Sequence, residues 1–438
     1  MSDTTLRANQ VAFTLATVAG VLVVLSSIWD KMLDTWSSSR RVSNSRKASR
    51  EASREASRDA SYPGKQHGSH SNKLGCANVG GEETFKLERA ERVPHYGVPE
   101  TQRDRYKRVA EKALQTIEKG SYVYRGKFTP LHIKNSTDRT KFFPEESVLT
   151  EWRKKPVGST QGSIEVSLSI LNVTTLDAAR ILSNSYRFQG YEGAPPQTGV
   201  LNFASATKPG GGFINGAEAQ EESIARVSTL YASLTTFEGN RFYEAHTRRP
   251  GADRDKAYEA HSRPRTGQER SSYYTHGMVY SPGVVVFQND EGDAVDPYQI
   301  EVVSCAAVNA GELRSEGGSM AKGWAASLEV EIEATMEERM GRILYLFEKK
   351  GIRNIVLGTF GTGVFKNKVD VIARLWARLL VGRDARFKFS FDRVIFAITG
   401  DETFAEFNGA FSAWAQKDTP KAASGTKRTR RTRGPHTS

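Results

Sequence analysis

Hydrophobic positions along the middle of the chain change period again and again. In residues 105–119, Val109, Ala113, Leu114 and Ile117 recur at helical spacing. Residues 165–173 read as a strand, and the segment after them as a helix capped by Thr174 or Thr175. The short apolar run 198–205 predicts a buried strand. Residues 223–234 are amphipathic through Ile224, Val227, Leu230, Tyr231 and Leu234. Strands are predicted at 283–287, 300–308, 354–360 and 391–399, and helices at 333–351 and 368–380, the former ended by Gly351. Residues 241–272 are polar, rich in Arg and weakly periodic, which predicts an inserted loop. Strands alternating with helices give an α/β fold, with a mostly parallel central sheet and helices on both faces.

The same pattern sets domain boundaries. Residues 11–29 contain no charge, a length that suits a bilayer-crossing helix. Ahead of them only Arg7 is basic. Behind them stand Lys31, Arg40, Arg41, Arg46 and Lys47, so the positive-inside rule places the rest of the chain in the cytosol. A signal peptide fits less well, because the start carries little charge and no convincing cleavage site follows. Residues 45–61 repeat a four-residue unit of Ser, Arg and Glu without large apolar side chains, too polar to offset the entropy of ordering. The expected layout is a short segment 1–10, a membrane helix 11–29, a disordered linker 30–84, a globular domain 85–416 and a basic tail 417–438. The expected localisation is a membrane-anchored protein with a cytosolic domain, the alternative being nuclear or cytoplasmic.

Composition narrows the partners. Lys and Arg number 62 against 50 Asp and Glu, a net charge of +12 that suits an anionic ligand. Direct nucleic-acid binding is not expected beyond nonspecific contacts of the basic tails. Two cysteines, Cys76 and Cys305, exclude a disulfide framework. His67 and His70 lie in a Gly/Ser-rich stretch and read as solvated linker, and no metal-ligand motif occurs, so neither metal nor cofactor is expected.

Candidate chemistry lies where ligands bind in open α/β sheets, beyond the carboxyl ends of strands. Two glycine-rich segments fall there, Gly210-Gly211-Gly212 and Gly361-Thr362-Gly363-Val364-Phe365. Glycine permits positive φ and close backbone approach, and amides at a helix start cradle anions. Neither segment matches a Walker A loop or a Rossmann fingerprint. A short loop after the triglycine comes Gln220-Glu221-Glu222, at a predicted helix start where the dipole alone favours acids.

Triglycine, gap and Gln-Glu-Glu together resemble the signature of poly(ADP-ribose) glycohydrolases, in the microbial-type catalytic domain found in bacteria and fungi. The similarity runs from about Tyr106 to Trp414, through blocks such as VLNFASATKPGGGF and VLGTFGTGVFKN. It implies a macrodomain-like three-layer fold and hydrolysis of ribose–ribose O-glycosidic bonds in poly(ADP-ribose), or action on ADP-ribosylated proteins. It implies Glu222 as general acid/base and Glu221 as the acid holding the neighbouring ribose. Gly210–Gly212 then pack on the diphosphate, with Gln220 beside them. Gly361, Thr362, Gly363, Val364 and Phe365 form the second phosphate loop, and Asn202 touches the ligand. Lys208 departs from the polar residue expected before the Pro-Gly turn. Neighbouring helical side chains are expected to diverge, so one acid must both protonate the leaving oxygen and deprotonate water. That role asks for a Glu222 raised in pKa in the complex. The alternatives are a non-catalytic ADP-ribose reader of the same fold and a degenerate membrane-anchored adaptor.

Overall fold

In the computed structural model, residues 100–154, 165–188, 196–247, 271–316 and 322–418 are described. A seven-stranded mixed sheet runs through them. Its strands are β3 (Lys141–Phe143), β4 (Ser167–Leu171), β5 (Thr198–Phe203), β6 (Met278–Gln288), β7 (Ala294–Cys305), β8 (Asn354–Leu357) and β9 (Arg393–Ala397), in the order β3-β6-β7-β5-β8-β9-β4. From β7 to β4 the neighbours are all parallel, while β6 and β3 add antiparallel pairs at one edge. A separate hairpin pairs β1 (Ser121–Tyr124) with β2 (Lys127–Pro130).

The central strands are apolar on both sides because helices cover both faces. On one face, Leu201, Val303, Ile355 and Phe396 pack with Met340, Ile343, Phe347 and Trp376 of the helices Lys322–Lys349 and Val369–Leu380. On the other, Val200, Val302 and Val356 pack with Ala178, Ile224, Leu230 and Phe242 of four further helices. This is the expected three-layer α/β arrangement. Thr174 is the cap that opens its helix: its hydroxyl accepts from the Asp177 amide at 3.1 Å and donates to the Asp177 carboxylate at 2.8 Å. Gly351, at φ +70°, follows the helix Lys322–Lys349.

Three expectations change. First, β6 starts at Met278, five residues before the expected strand. Pro282 marks a break in the sequence pattern, but the ladder absorbs it in a register shift between Ser281 and Val284. Second, the segment read as an inserted loop begins in a helix, Phe237–Thr247, and ends in the turn Ser271–Tyr273 that leads to β6; residues 248–270 lie outside the described residues. Third, the membrane-anchored localisation is corrected. Among the described residues no helix is long and apolar enough to cross a membrane. The helices of 18 residues or more, Gln102–Lys119, Lys322–Lys349 and Asp401–Asp418, carry charges along their length. The stretch 11–29 on which the expectation rested lies outside the described residues, as do the linker and the tail beyond Asp418, where the last helix ends two residues past the expected boundary.

Candidate active site

The parallel strands end together at one edge. β5 ends at Phe203, and the chain then folds over that edge as the triglycine loop. Gly210 and Gly211 sit at φ +67° and +60°, a region that disfavours side chains. Phe213 is buried and starts a short turn, Phe213–Asn215. The helix Gln102–Lys119 seals the far end of the loop: Arg103 Nε donates to the Asn215 carbonyl at 2.9 Å. Lys208 is exposed and contributes backbone bonds, its amide to Ser205 Oγ and its carbonyl to the Gly211 amide.

The helix Gln220–Val227 has no side-chain cap of its own. Its first three side chains reach back across the edge instead. Gln220 Oε1 accepts from the Phe203 amide at 2.9 Å, and its Nε2 donates to the Leu201 carbonyl at 2.8 Å. Glu221 Oε2 accepts from the Ser205 amide at 2.7 Å, and Oε1 from Asn202 Nδ2 at 3.2 Å. Glu222 Oε1 accepts from the Gly212 amide at 2.9 Å. The dipole account of these acids as a mere helix start is therefore insufficient, since each one binds a backbone amide of another segment.

The two carboxyls do not diverge. A Cβ placed on Gly211 would lie 2.3 Å from Glu222 Oε1 and 3.1 Å from Glu221 Oε2. Both acids thus converge on a bare glycine backbone. Their environments differ sharply. Glu221 is fully buried, and burial pushes its pKa to about 8 against the pull of the Ser205 amide and Asn202, with Glu222 adding to the rise. Glu222 is half-buried. Glu221 is thus held as an unusually basic carboxyl by its own surroundings.

Asn202, at the end of β5, is fully buried, and its Nδ2 bridges Glu221 to Ser304 Oγ on β7 at 3.0 Å. It stands behind Glu221 as a support. The second loop follows β8. Gly361, at φ +76°, leaves no room for a side chain: a Cβ would come 2.3 Å from that of Ala307. Asn367 Nδ2 clamps the loop by donating to the Gly361 carbonyl at 3.0 Å and the Val308 carbonyl at 2.8 Å. Thr362 donates to the Thr359 carbonyl, Gly363 borders open space and Val364 is exposed. Phe365 is half-buried, its carbonyl accepts from the Gly311 amide at 3.0 Å, and its ring lies 5.7 Å from that of Tyr274.

Sequence reasoning missed three aromatic neighbours. The Tyr243 hydroxyl is buried, and burial first, then the Glu221 charge, raises it well above its ordinary value. His246, one turn further along the same helix, is pushed down to about 4 by burial. Its ring lies 5.7 Å from Tyr274. The pair Tyr243 and His246 at helical spacing was the available signal, hidden inside a stretch dominated by Arg. Among the described residues, no group of three or more His, Cys, Asp or Glu is placed to hold a metal ion.

Residues 110–289 match the family model of the microbial-type PARG catalytic domain. The fold is similar to the poly(ADP-ribose) glycohydrolase of Thermomonospora curvata, at 29% identity and a TM-score of 0.55, over 70% of this chain and 98% of that one. It is similar to the same protein bound to the inhibitor ADP-HPD, at 29% identity and TM-score 0.53 over the same shares. It is also similar to the Deinococcus radiodurans glycohydrolase in complex with ADP-ribose, at 26% identity and TM-score 0.50, over 65% of this chain and 97% of that one. Among curated proteins nothing matches.

Proposed function

We propose that this chain, which carries a catalytic domain of the microbial poly(ADP-ribose) glycohydrolase type, hydrolyses the ribose–ribose O-glycosidic bonds of poly(ADP-ribose) with Glu222 as its single general acid/base. The observation that carries this reading is the convergence of Glu221 and Glu222 on Gly211, one acid buried and the other half open. The missing side chain at Gly211 lets both carboxyls come close to the loop backbone, beside which a ligand's ribose and diphosphate can lie.

The roles divide by environment. Glu221, whose buried carboxyl titrates near 8, is mostly protonated at neutral pH and fixed from two sides by Ser205 and Asn202. It holds a ribose hydroxyl without adding a second full charge beside the diphosphate. Glu222 has one oxygen tied to the Gly212 amide, and its other oxygen moves the proton. It protonates the leaving oxygen as an oxocarbenium-like state develops, then takes a proton from the attacking water. Gln220 does not touch the ligand in this scheme; it fixes the helix to β5. Gly361 to Phe365 supply the second phosphate cradle, with Phe365 at the ribose end. The catalytic unit spans residues 85–416.

Release of free ADP-ribose from purified poly(ADP-ribose) tests the proposal. Binding of polymer without release would favour an ADP-ribose reader on the same fold.

A further inference from the structure

Tyr274 stands just ahead of β6 with φ at +54°. A bulky aromatic in this left-handed region is strained by about 1–3 kcal/mol, and such strain persists only where surroundings over-determine it. Here they do. Arg339, fully buried on the helix Lys322–Lys349, donates to the carbonyls of Tyr273 at 2.9 Å, Tyr274 at 3.2 Å and Ala306 at 2.9 Å. A buried guanidinium is thus spent on the backbone corner that carries Tyr274 and on the first residue past β7. Next along the chain, Thr275 Oγ1 lies 3.1 Å from His246 Nε2.

The ring held this way is only half-buried. It lies 5.7 Å from His246 on one side and 5.7 Å from Phe365 on the other. His246 is one helical turn from Tyr243 on the helix Phe237–Thr247. Phe365 belongs to the second glycine loop. Tyr274 therefore stands between the helix that carries Tyr243 and His246 and the second glycine loop. Glycine or asparagine would occupy its backbone conformation with less strain. The tyrosine brings a ring that packs partly on the core and a hydroxyl in hydrogen-bond contact with Asn309, at the cost of that strain.

We propose that Tyr274 is a specificity-determining residue that, with Phe365, forms a two-ring end wall against which the C–H face of the ribose being cleaved packs. This rests on the glycohydrolase reading above. Aromatic faces suit such contacts, which combine apolar area with defined geometry.

The test compares Tyr274→Gly, Tyr274→Asn and Tyr274→Phe in the full chain, measuring kcat, KM for poly(ADP-ribose) and Tm. Gly and Asn relieve the backbone and remove the ring, so KM should rise roughly tenfold while Tm is kept or raised. Phe keeps the ring and should stay within about twofold of wild type in KM. Wild-type KM in the Gly and Asn variants would overturn the proposal. So would a large fall in Tm with unchanged KM of the folded fraction, which would mark the ring as structural. If the wild type releases no ADP-ribose, the glycohydrolase reading has failed. Calorimetric ADP-ribose affinity then judges Tyr274 by the same roughly tenfold loss in the Gly and Asn variants.

Discussion

No side chain fits between Gly211 and Glu222: a Cβ on the glycine would lie 2.3 Å from the carboxylate Oε1 and 2.8 Å from its Cδ. The backbone at Gly211 is also left-handed, at φ +60°. Gly211→Ala should therefore act twice. Strain should cost about 1–3 kcal/mol of stability. Displacing the Glu222 carboxyl, the proposed acid/base, should lower polymer hydrolysis by roughly 10²-fold, the usual effect of an ångström-scale misplacement. Rates and thermal melts on the same preparation check both. An alanine variant with wild-type turnover would place the chemistry elsewhere.

Glu222→Gln keeps an oxygen for the Gly212 amide but cannot shuttle a proton. Hydrolysis should fall by about 10²–10⁴-fold with ADP-ribose affinity little changed. Glu221→Gln differs, because Glu221 accepts from two donors, Ser205 N–H and Asn202 Nδ2. An amide offers a single acceptor oxygen, so one donor is left facing an NH₂ group. Both affinity and rate should drop. Single-turnover kinetics beside calorimetry separate the two variants.

Stability should report the buried acid directly. Glu221 titrates near 8 in the fold against an ordinary 4.5. The folded chain keeps a proton that the unfolded chain releases. Its contribution is full below about 4.5 and is lost as the pH rises through about 8. His246 runs the other way: lowered from 6.5 to about 4, its contribution is present above 6.5 and is lost as the pH falls through 4. Urea denaturation of wild type and Glu221→Gln over a pH series isolates the first effect. Wild type should lose stability relative to the variant between about pH 5 and 8. A gap independent of pH would refute the buried protonated acid.

Phe365→Ala should weaken ADP-ribose binding by roughly tenfold with a modest fall in Tm, because its ring is half-buried and only partly packed on the core. Calorimetry of the variant decides this. A large drop in Tm with unchanged affinity would make Phe365 a core residue.

The layered fold was legible because the apolar runs of β5, β8 and β9 alternate with helical periods, a pattern that only a covered parallel sheet produces. The triglycine and Gln220-Glu221-Glu222 were legible as a motif. Which acid is buried was not, since adjacent residues have the same local sequence context and differ only in what β5 and the loop bring near them. Tyr243, His246 and Tyr274 were invisible for a related reason. They flank a polar stretch, and their significance comes from β5, β7 and the second loop meeting at one edge. Arg339 reads as a surface charge on a helix until the tertiary fold encloses it.

Gln220, Glu221 and Glu222 each satisfy an amide that belongs to another segment: Phe203, Ser205 and Gly212. Drift away from catalysis is thereby channelled. On the proposed assignment, a glutamine at position 222 would silence the chemistry and keep the acceptor, so a folded binder would survive. An alanine there orphans the Gly212 amide at a cost of about 1–3 kcal/mol, a sizeable part of the 5–15 kcal/mol that holds a typical domain together. Descendants of this domain that had lost activity yet stayed folded would be expected to retain an oxygen-bearing side chain at these three positions. For such chains, a Gln-Glu-Gln sequence would mark a reader and an intact Gln-Glu-Glu a hydrolase.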